Sequence, residues 1–304
     1  MQRLDEDMRG KGLRFRPHVW LSSEWFSPDD VPGIAAPFYL AHPRLMRLEE
    51  KQMLEAEGST ARECLRILRH ETGHCISTAY RLHRRKRWRE TFGSFSKPYP
   101  SFYKPKPTSR HYVLHLDAWY AQAHPAEDFA ETFAVWLAPG SRWRQRYKGW
   151  PAMRKLEYVD ELMQQIADTT PPVRTRRQVE PIRQLKQSLR DVYREKKLLY
   201  ADDFPDFYDA DLRKVFSDEP AYRHRPTAAS FLRCNRAELR EMVARWTGTH
   251  PYTIDQVLRD MIDRCKELKL RLALPQSRAR VEVMIMVSVQ TMNFLHSGHH
   301  RVPL

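Results

Sequence analysis

The sequence predicts a predominantly helical α+β protein with a small N-terminal sheet and a C-terminal all-α region. Three observations carry this. Two short strand-like runs, HVWLSS and PFYLA, fall within residues 17–42 around the turn-rich SPDDVPG. From residue 60 onward, helix start and stop signals alternate with loops. Beyond residue 177 the apolar residues recur almost entirely at helical spacing.

The first helix signal is GSTARE, where Thr60 and Glu63 form a T-x-x-E capping box. Leu65, Leu68, Cys75, Ile76 and Ala79 then recur near helical spacing, predicting a helix over about 61–80 with a core-facing stripe. Residues 93–109, rich in Pro, Ser, Lys and Tyr, read as a long loop, and RHYVLHL (110–116) alternates like a strand. AHPAEDFAETFAVWLAPG holds a second helix, with Pro125 at the first position and a stop at Pro139-Gly140. A third runs through PAMRKLEYVDELMQQIA to about 167. DTTPPVRTRR (168–177) is the linker candidate, dividing the chain into 1–170 and a helical 171–304. Helical segments are expected at 178–198, 236–247, 252–273 and 276–296, with YADDFPDFYDAD (200–211) as an acidic, aromatic interruption.

Composition narrows the class. The 304 residues can bury a core without staples, and 41% apolar with 30% charged content suits a globular chain. The formal charge of +14 favours acidic partners, whether acidic peptides, nucleic acid or an anionic surface. Cysteines 64, 75, 234 and 265 form no CxxC pair. On one helix Cys64 and Cys75 would stand roughly 16 Å apart at ~1.5 Å per residue, too far for a disulfide. Reduced thiols and a cytoplasmic location are expected. The charged N-terminus carries no apolar signal region, and VEVMIMVSVQTMNFL (281–295) is interrupted by Glu282, Gln290 and Asn293, so no secretory signal and no membrane span are expected.

Within the first helix lies HETGH (70–74). His70 and His74, four apart, project from one face and can reach one ion at ~2.0–2.1 Å, with Glu71 placed to take a proton from a water there. Gly73 costs roughly 1 kcal/mol against Ala within a helix, so a close approach by another element is expected. The five-residue pattern also arises by coincidence, and its context decides. In EDFAETF, Glu127 and Glu131 share a face of the second helix, among Phe129, Ala130, Phe133, Ala134, Trp136 and Leu137. An acid pair on so apolar a helix needs a partner, and a cation supplies one. One carboxylate can bind an ion while the other buttresses a ligand by hydrogen bonding.

HETGH followed by EDFAETF resembles the gluzincin arrangement of HExxH plus a glutamate on a later helix. More narrowly it is similar to the anthrax-lethal-factor-like clan, and to a bacterial family of zinc-binding metallopeptidases with LRHExGH and HPxEDFAET-type helices. The resemblance covers about 60–140 firmly. It implies a zincin-like fold for residues 1–170, one Zn2+ per chain, Glu127 as third ligand and Glu131 as the buttress. Tyr120, seven positions before Glu127, matches a tyrosine thought to steady the tetrahedral intermediate. The implied activity is peptide-bond hydrolysis, with Glu71 and Tyr120 catalytic, peptide or protein substrates, and an early strand lining the cleft.

Other features are weighed against this. RLHRRKRWR (81–89) carries six Lys or Arg and reads as a solvated helix face or a dock for acidic partners or nucleic acid. His111 and His115, on the strand expected there, would lie ~13 Å apart, too far to share an ion. His124 reads as a cap of the second helix or as packing near the site, and the tail HSGHH is not counted a site. Cys75 reads as a core residue. SRWRQRYKGWPAMRK interleaves rings and cations, as single-stranded nucleic acid binding does, although cation–π packing accounts for it too. The alternative function is a non-catalytic, metal-stabilised binding protein with a basic surface. Glu71 separates the two, because a closed structural site needs no base.

Overall fold

A computed structural model describes residues 1–100, 102–103, 105–117, 119–199, 208–296 and 302–303. The chain divides into two compact units, one of Met1–Glu50, Ala56–Gln187 and Val302–Leu304, the other of Lys51–Glu55 and Ser188–Arg301.

The first unit opens on α1 (Gln2–Gly10), whose Leu4 and Met8 are fully buried. Strands β1 (His18–Ser22) and β2 (Gly33–Pro37) pair in parallel, His18 opposite Gly33 and Ser22 opposite Pro37. The second strand expected at PFYLA is displaced: β2 ends at Pro37, and Phe38–Ala41 tighten into a 3-10 turn. α2 (Pro43–Met53) precedes the capped helix α3 (Ala61–Ala79). Thr60 is the N-cap of α3, its Oγ1 accepting the Glu63 N–H at 3.2 Å, which satisfies one of the donors that a helix start leaves open. α4 (Lys86–Phe92) follows, with Leu82 and Trp88 fully buried while the cations of 81–89 face water. That run is a solvated face pinned by two apolar anchors. α5 (Pro125–Leu137) begins at Pro125 and is buried from Ala126 through Leu137. α6 (Trp143–Arg146) and α7 (Met153–Ile166) complete the unit.

The α3–α5 crossing sets the architecture. A Cβ on Gly73 would stand 2.7 Å from Ala130 Cα, inside any tolerable contact, so only glycine lets the two helices approach this closely. The core around the crossing joins Cys75, Ile76 and Ala79 of α3 to Phe129, Phe133 and Trp136 of α5 and Leu156, Val159 and Leu162 of α7. Residues 168–187 run back over this unit: Val173 N–H bonds Ala79 O, and Trp20 Nε1–H bonds Val179 O at 2.8 Å.

The strand expected at 110–116 does not form. The reason lies in who satisfies its backbone. Leu116 N–H donates to Glu131 Oε2 and Leu114 N–H to the Tyr147 hydroxyl, while His111 O accepts from Lys155 and His115 O from Arg66. Side chains replace the neighbouring strand. Trp143 and Tyr147 of the ring-and-cation stretch are core residues, and Arg144 lies 4.0 Å over the Trp143 ring.

The second unit is helical: α8 (Leu189–Leu199), α9 (Tyr208–Val215), α10 (Ala228–Thr247), α11 (Pro251–Glu267) and α12 (Gln276–His296), with Phe216–Ser217 paired antiparallel to Arg271–Leu272. The helix expected over 178–198 forms only from Leu189; Pro181 opens a 3-10 turn, Ile182–Gln184, ahead of it. α10 starts earlier than the pattern suggested because Thr227 caps it, accepting the Ser230 N–H. Most of the acidic, aromatic interruption (200–207) lies outside the described residues. Among the described residues no helix is long and apolar enough to cross a membrane, and all four cysteines are free.

Candidate metal centre

Helices α3 and α5 present polar side chains to each other on either side of the Gly73–Ala130 crossing. His70 and His74 are on α3, and Glu127 and Glu131, also four apart, are on α5. His70 Nε2 lies 3.1 Å from His74 Nε2, and both approach one oxygen of Glu127: His70 Nε2 at 3.0 Å and His74 Nε2 at 3.2 Å from Oε2. Among the described residues this is the group of three His, Cys, Asp or Glu side chains able to hold a metal ion.

The donor set fits zinc. His70 Nδ1 lies 2.8 Å from Glu131 Oε1, and Glu131, a carboxylate, can only accept, so the ring proton sits on Nδ1 and the Nε2 lone pair faces the triangle. That lone pair meets another imidazole nitrogen and a carboxylate oxygen, an arrangement that a metal cation between them satisfies, as protons on the imidazoles do without one. A tetrahedral ion bound at ~2.0–2.1 Å separates its ligands by about 3.3–3.4 Å, within a few tenths of an ångström of the edges seen here. The charge balance agrees. Glu127 is 4% and Glu131 1% exposed, and no Lys or Arg among the described residues pairs with either.

Titration behaviour follows from this crowding. Burial lowers His70, but its hydrogen bonds to Glu127 and Glu131 outweigh that and leave it well above the ordinary imidazole range. Burial likewise lowers His74, and the charge of Glu127 outweighs it. Burial raises Glu127, yet the two imidazoles hold its carboxyl well below the usual range. In the absence of a metal the cluster gathers protons to stand in for the missing positive charge.

The other expected residues surround this triangle. Glu71, 7% exposed, is outside it, and its Oε2 accepts the Ser27 hydroxyl at 2.7 Å. Glu131 Oε2 accepts the Leu116 N–H at 2.8 Å, so both oxygens of the buttress are engaged. The Tyr120 ring packs 5.6 Å from that of His70. It arrives through Trp119, whose left-handed backbone (φ 54°) turns the chain into the 3-10 turn Tyr120–Gln122; for an L-residue this costs roughly 1–2 kcal/mol. Burial, then the charge of Glu127, pushes the Tyr120 phenol well up and keeps it a neutral donor.

His124 caps α5, its Nδ1 accepting the Ala126 N–H at 3.1 Å. His111 and His115 form no metal group: His115 Nε2 meets Arg66 O at 3.0 Å. Cys75 is fully buried, and burial raises its thiol far above the range of a nucleophile. The tail positions 297–300 lie outside the described residues.

Two polar neighbours escaped the sequence reading. Ser27 comes from the turn between β1 and β2, with no periodicity to mark it. Tyr99, whose hydroxyl donates to Glu127 Oε1 at 2.7 Å, comes from the loop after α4. Its one visible signal is the Pro-Tyr-Pro setting (98–100), which stiffens the backbone on both sides.

No curated protein and no solved structure matches the chain. Residues 47–140, which span His70, Glu71, His74, Tyr99, Tyr120, Glu127 and Glu131, match the family model described as "Putative zinc-binding metallo-peptidase".

Proposed function

We propose that this chain is a zinc-dependent metallopeptidase of the HExxH, gluzincin type, hydrolysing peptide bonds in peptide or protein substrates. The observation that carries the reading is the convergence of three lone-pair donors, on His70, His74 and Glu127, at edges of 3.0–3.2 Å, with the Glu71 carboxylate outside the triangle, one residue along α3 from His70. Those three side chains would hold one Zn2+. When bound, zinc polarises the scissile carbonyl and eases ionisation of the attacking water.

The chain's own residues do the rest. Glu131 fixes the His70 ring and its tautomer through Nδ1–H, which aims the Nε2 lone pair. Glu71 takes the proton of the attacking water and passes it to the leaving amine; the Ser27 hydroxyl holds its Oε2 on one side, restricting the carboxylate's rotation. Tyr120, kept neutral, donates toward the oxyanion that develops on the carbonyl. The zincin-like role is assigned to residues 1–170 and an accessory role to 171–304, of which residues 171–187 belong to the first compact unit and the helices begin at Leu189. With its thiols reduced, the protein works in a cytoplasmic compartment.

Cleavage of a peptide library by zinc-loaded wild type and by Glu71→Gln tests this. Wild type cuts. Glu71→Gln keeps its zinc and loses about 10²–10⁴-fold in rate. A zinc-loaded wild type that cuts nothing, or a Glu71→Gln variant as fast as wild type, would refute the assignment.

A further inference from the structure

We infer that Tyr99 is a positioning residue for the metal centre: its hydroxyl ties back Glu127 Oε1 so that Glu127 presents Oε2 alone as ligand. The inference rests on the zinc reading above and extends it to a residue outside HETGH and EDFAETF. A carboxylate has two equivalent oxygens and, left to rotate, can give both to an ion. Here they are distinguished. Oε2 faces the two imidazole nitrogens at 3.0 and 3.2 Å, and Oε1 accepts the Tyr99 hydroxyl at 2.7 Å. Keeping Oε1 occupied leaves a coordination position for water, which a catalytic site needs and a closed structural site lacks.

Tyr99 is itself held at three levels. Its ring stacks on His124 at 3.8 Å with an interplanar angle of 20°. His124 cannot swing, because Nδ1 accepts the Ala126 N–H at 3.1 Å, which leaves the proton on Nε2 to donate to Lys97 O at 2.7 Å. One imidazole thus grips the loop twice, at the Lys97 carbonyl through an edge and at Tyr99 through a face. The same imidazole is the N-cap of α5, three residues before Glu127, so ligand and loop share one reference point. Further along, the Gln122 amide clamps Lys106, accepting from its N–H at 2.8 Å and donating to its O at 3.0 Å. Pro100 biases the backbone of Tyr99 toward extended conformations, and Pro98 fixes φ at the position before it. The phenol reaches a carboxylate that is 4% exposed, although Tyr99 as a whole is 46% exposed. Core packing alone does not explain so exposed a ring with its polar tip inside.

The test uses the full chain and Tyr99→Phe, which removes the hydroxyl and keeps the stacking ring. Zinc affinity is read by competition with a chromophoric chelator, and the melting temperature of the zinc-free protein is read alongside. The expected result is zinc binding about 10–100-fold weaker in Tyr99→Phe, with an unchanged zinc-free melting temperature. In the cobalt-loaded protein the visible absorption weakens, because the freed Oε1 raises the coordination number. Zinc affinity within about twofold of wild type, or an unchanged cobalt spectrum, overturns the inference. So does a drop in the zinc-free melting temperature, which would make Tyr99 a structural residue. Wild type that takes up no zinc sinks the underlying metal reading instead, before Tyr99 is tested.

Discussion

Gly73→Ala sets two effects of opposite sign against each other. On an isolated helix the change gains about 1 kcal/mol, since alanine is the better helix former. In this fold the added methyl would lie 2.7 Å from Ala130 Cα and 3.2 Å from both Ala130 Cβ and Ala130 O. Carbon atoms rest at about 3.5–4.0 Å, so α3 and α5 must part by about 0.9 Å. The obstacle is backbone, which cannot rotate away. Overpacking of this kind costs about 1–3 kcal/mol, leaving a net loss of about 1 kcal/mol after the propensity gain. The larger consequence is at the cluster. His70 and His74 move with α3 and Glu127 with α5, so Nε2–Oε2 separations of 3.0 and 3.2 Å open toward about 4 Å, beyond what one tetrahedral ion spans. Zinc affinity therefore falls about 10–100-fold, as when the groups that orient a ligand are disturbed. Chelator competition and thermal melting of the zinc-free protein measure the two effects separately. A Gly73→Ala protein that melts higher and binds zinc as tightly as wild type would show that the crossing does not set the site.

Three further outcomes follow from the same geometry. Glu131→Gln removes the anionic partner of His70 Nδ1 and weakens zinc binding about 10–100-fold by the same competition assay, while a change at an exposed acid such as Glu90 leaves it alone. Tyr120→Phe keeps zinc and slows peptide cleavage by about 10²–10³-fold; zinc loss instead would make it a packing residue. The pH dependence has a definite sign. His70 and His74 are raised in the folded, zinc-free protein, so their contribution to its stability is full below about 6.5 and is lost as pH rises through their folded values. Glu127 is lowered, so its contribution is present above the ordinary carboxylate range and lost as pH falls through its folded value. Zinc must displace the imidazole protons, so its affinity rises over the window in which zinc-free stability declines. Calorimetric titrations in buffers of different ionisation heat should record proton release; none near pH 6.5 would contradict the raised titration of His70 and His74 in the zinc-free protein.

The site was legible where its residues share a helix. Thr60, HETGH, Pro125 and EDFAETF each carry a local signal, and four-residue spacing places each pair on one face before any tertiary information is used. Gly73 was legible as an anomaly, and Ala130 is its explanation. What escaped is set by long-range pairing. Ser27 meets Glu71 across 44 positions and Tyr99 meets Glu127 across 28, and neither loop has a period to betray its partner. The alternation in 110–116 misled because a strand pattern records which side chains are apolar, not who satisfies the backbone. Here Glu131, Tyr147, Lys155 and Arg66 take that part. The second N-terminal strand is displaced for a local reason: Pro37, the first residue of the apolar run PFYLA, closes β2.

The most direct test of the account is zinc content by elemental analysis of purified wild type, Glu127→Ala and Glu71→Gln. The account predicts close to one zinc per chain in wild type, a large loss in Glu127→Ala, and zinc retained in Glu71→Gln. Wild type that remains free of zinc after supplementation, or Glu127→Ala that holds as much as wild type, would contradict the claim that α3 and α5 build one metal centre.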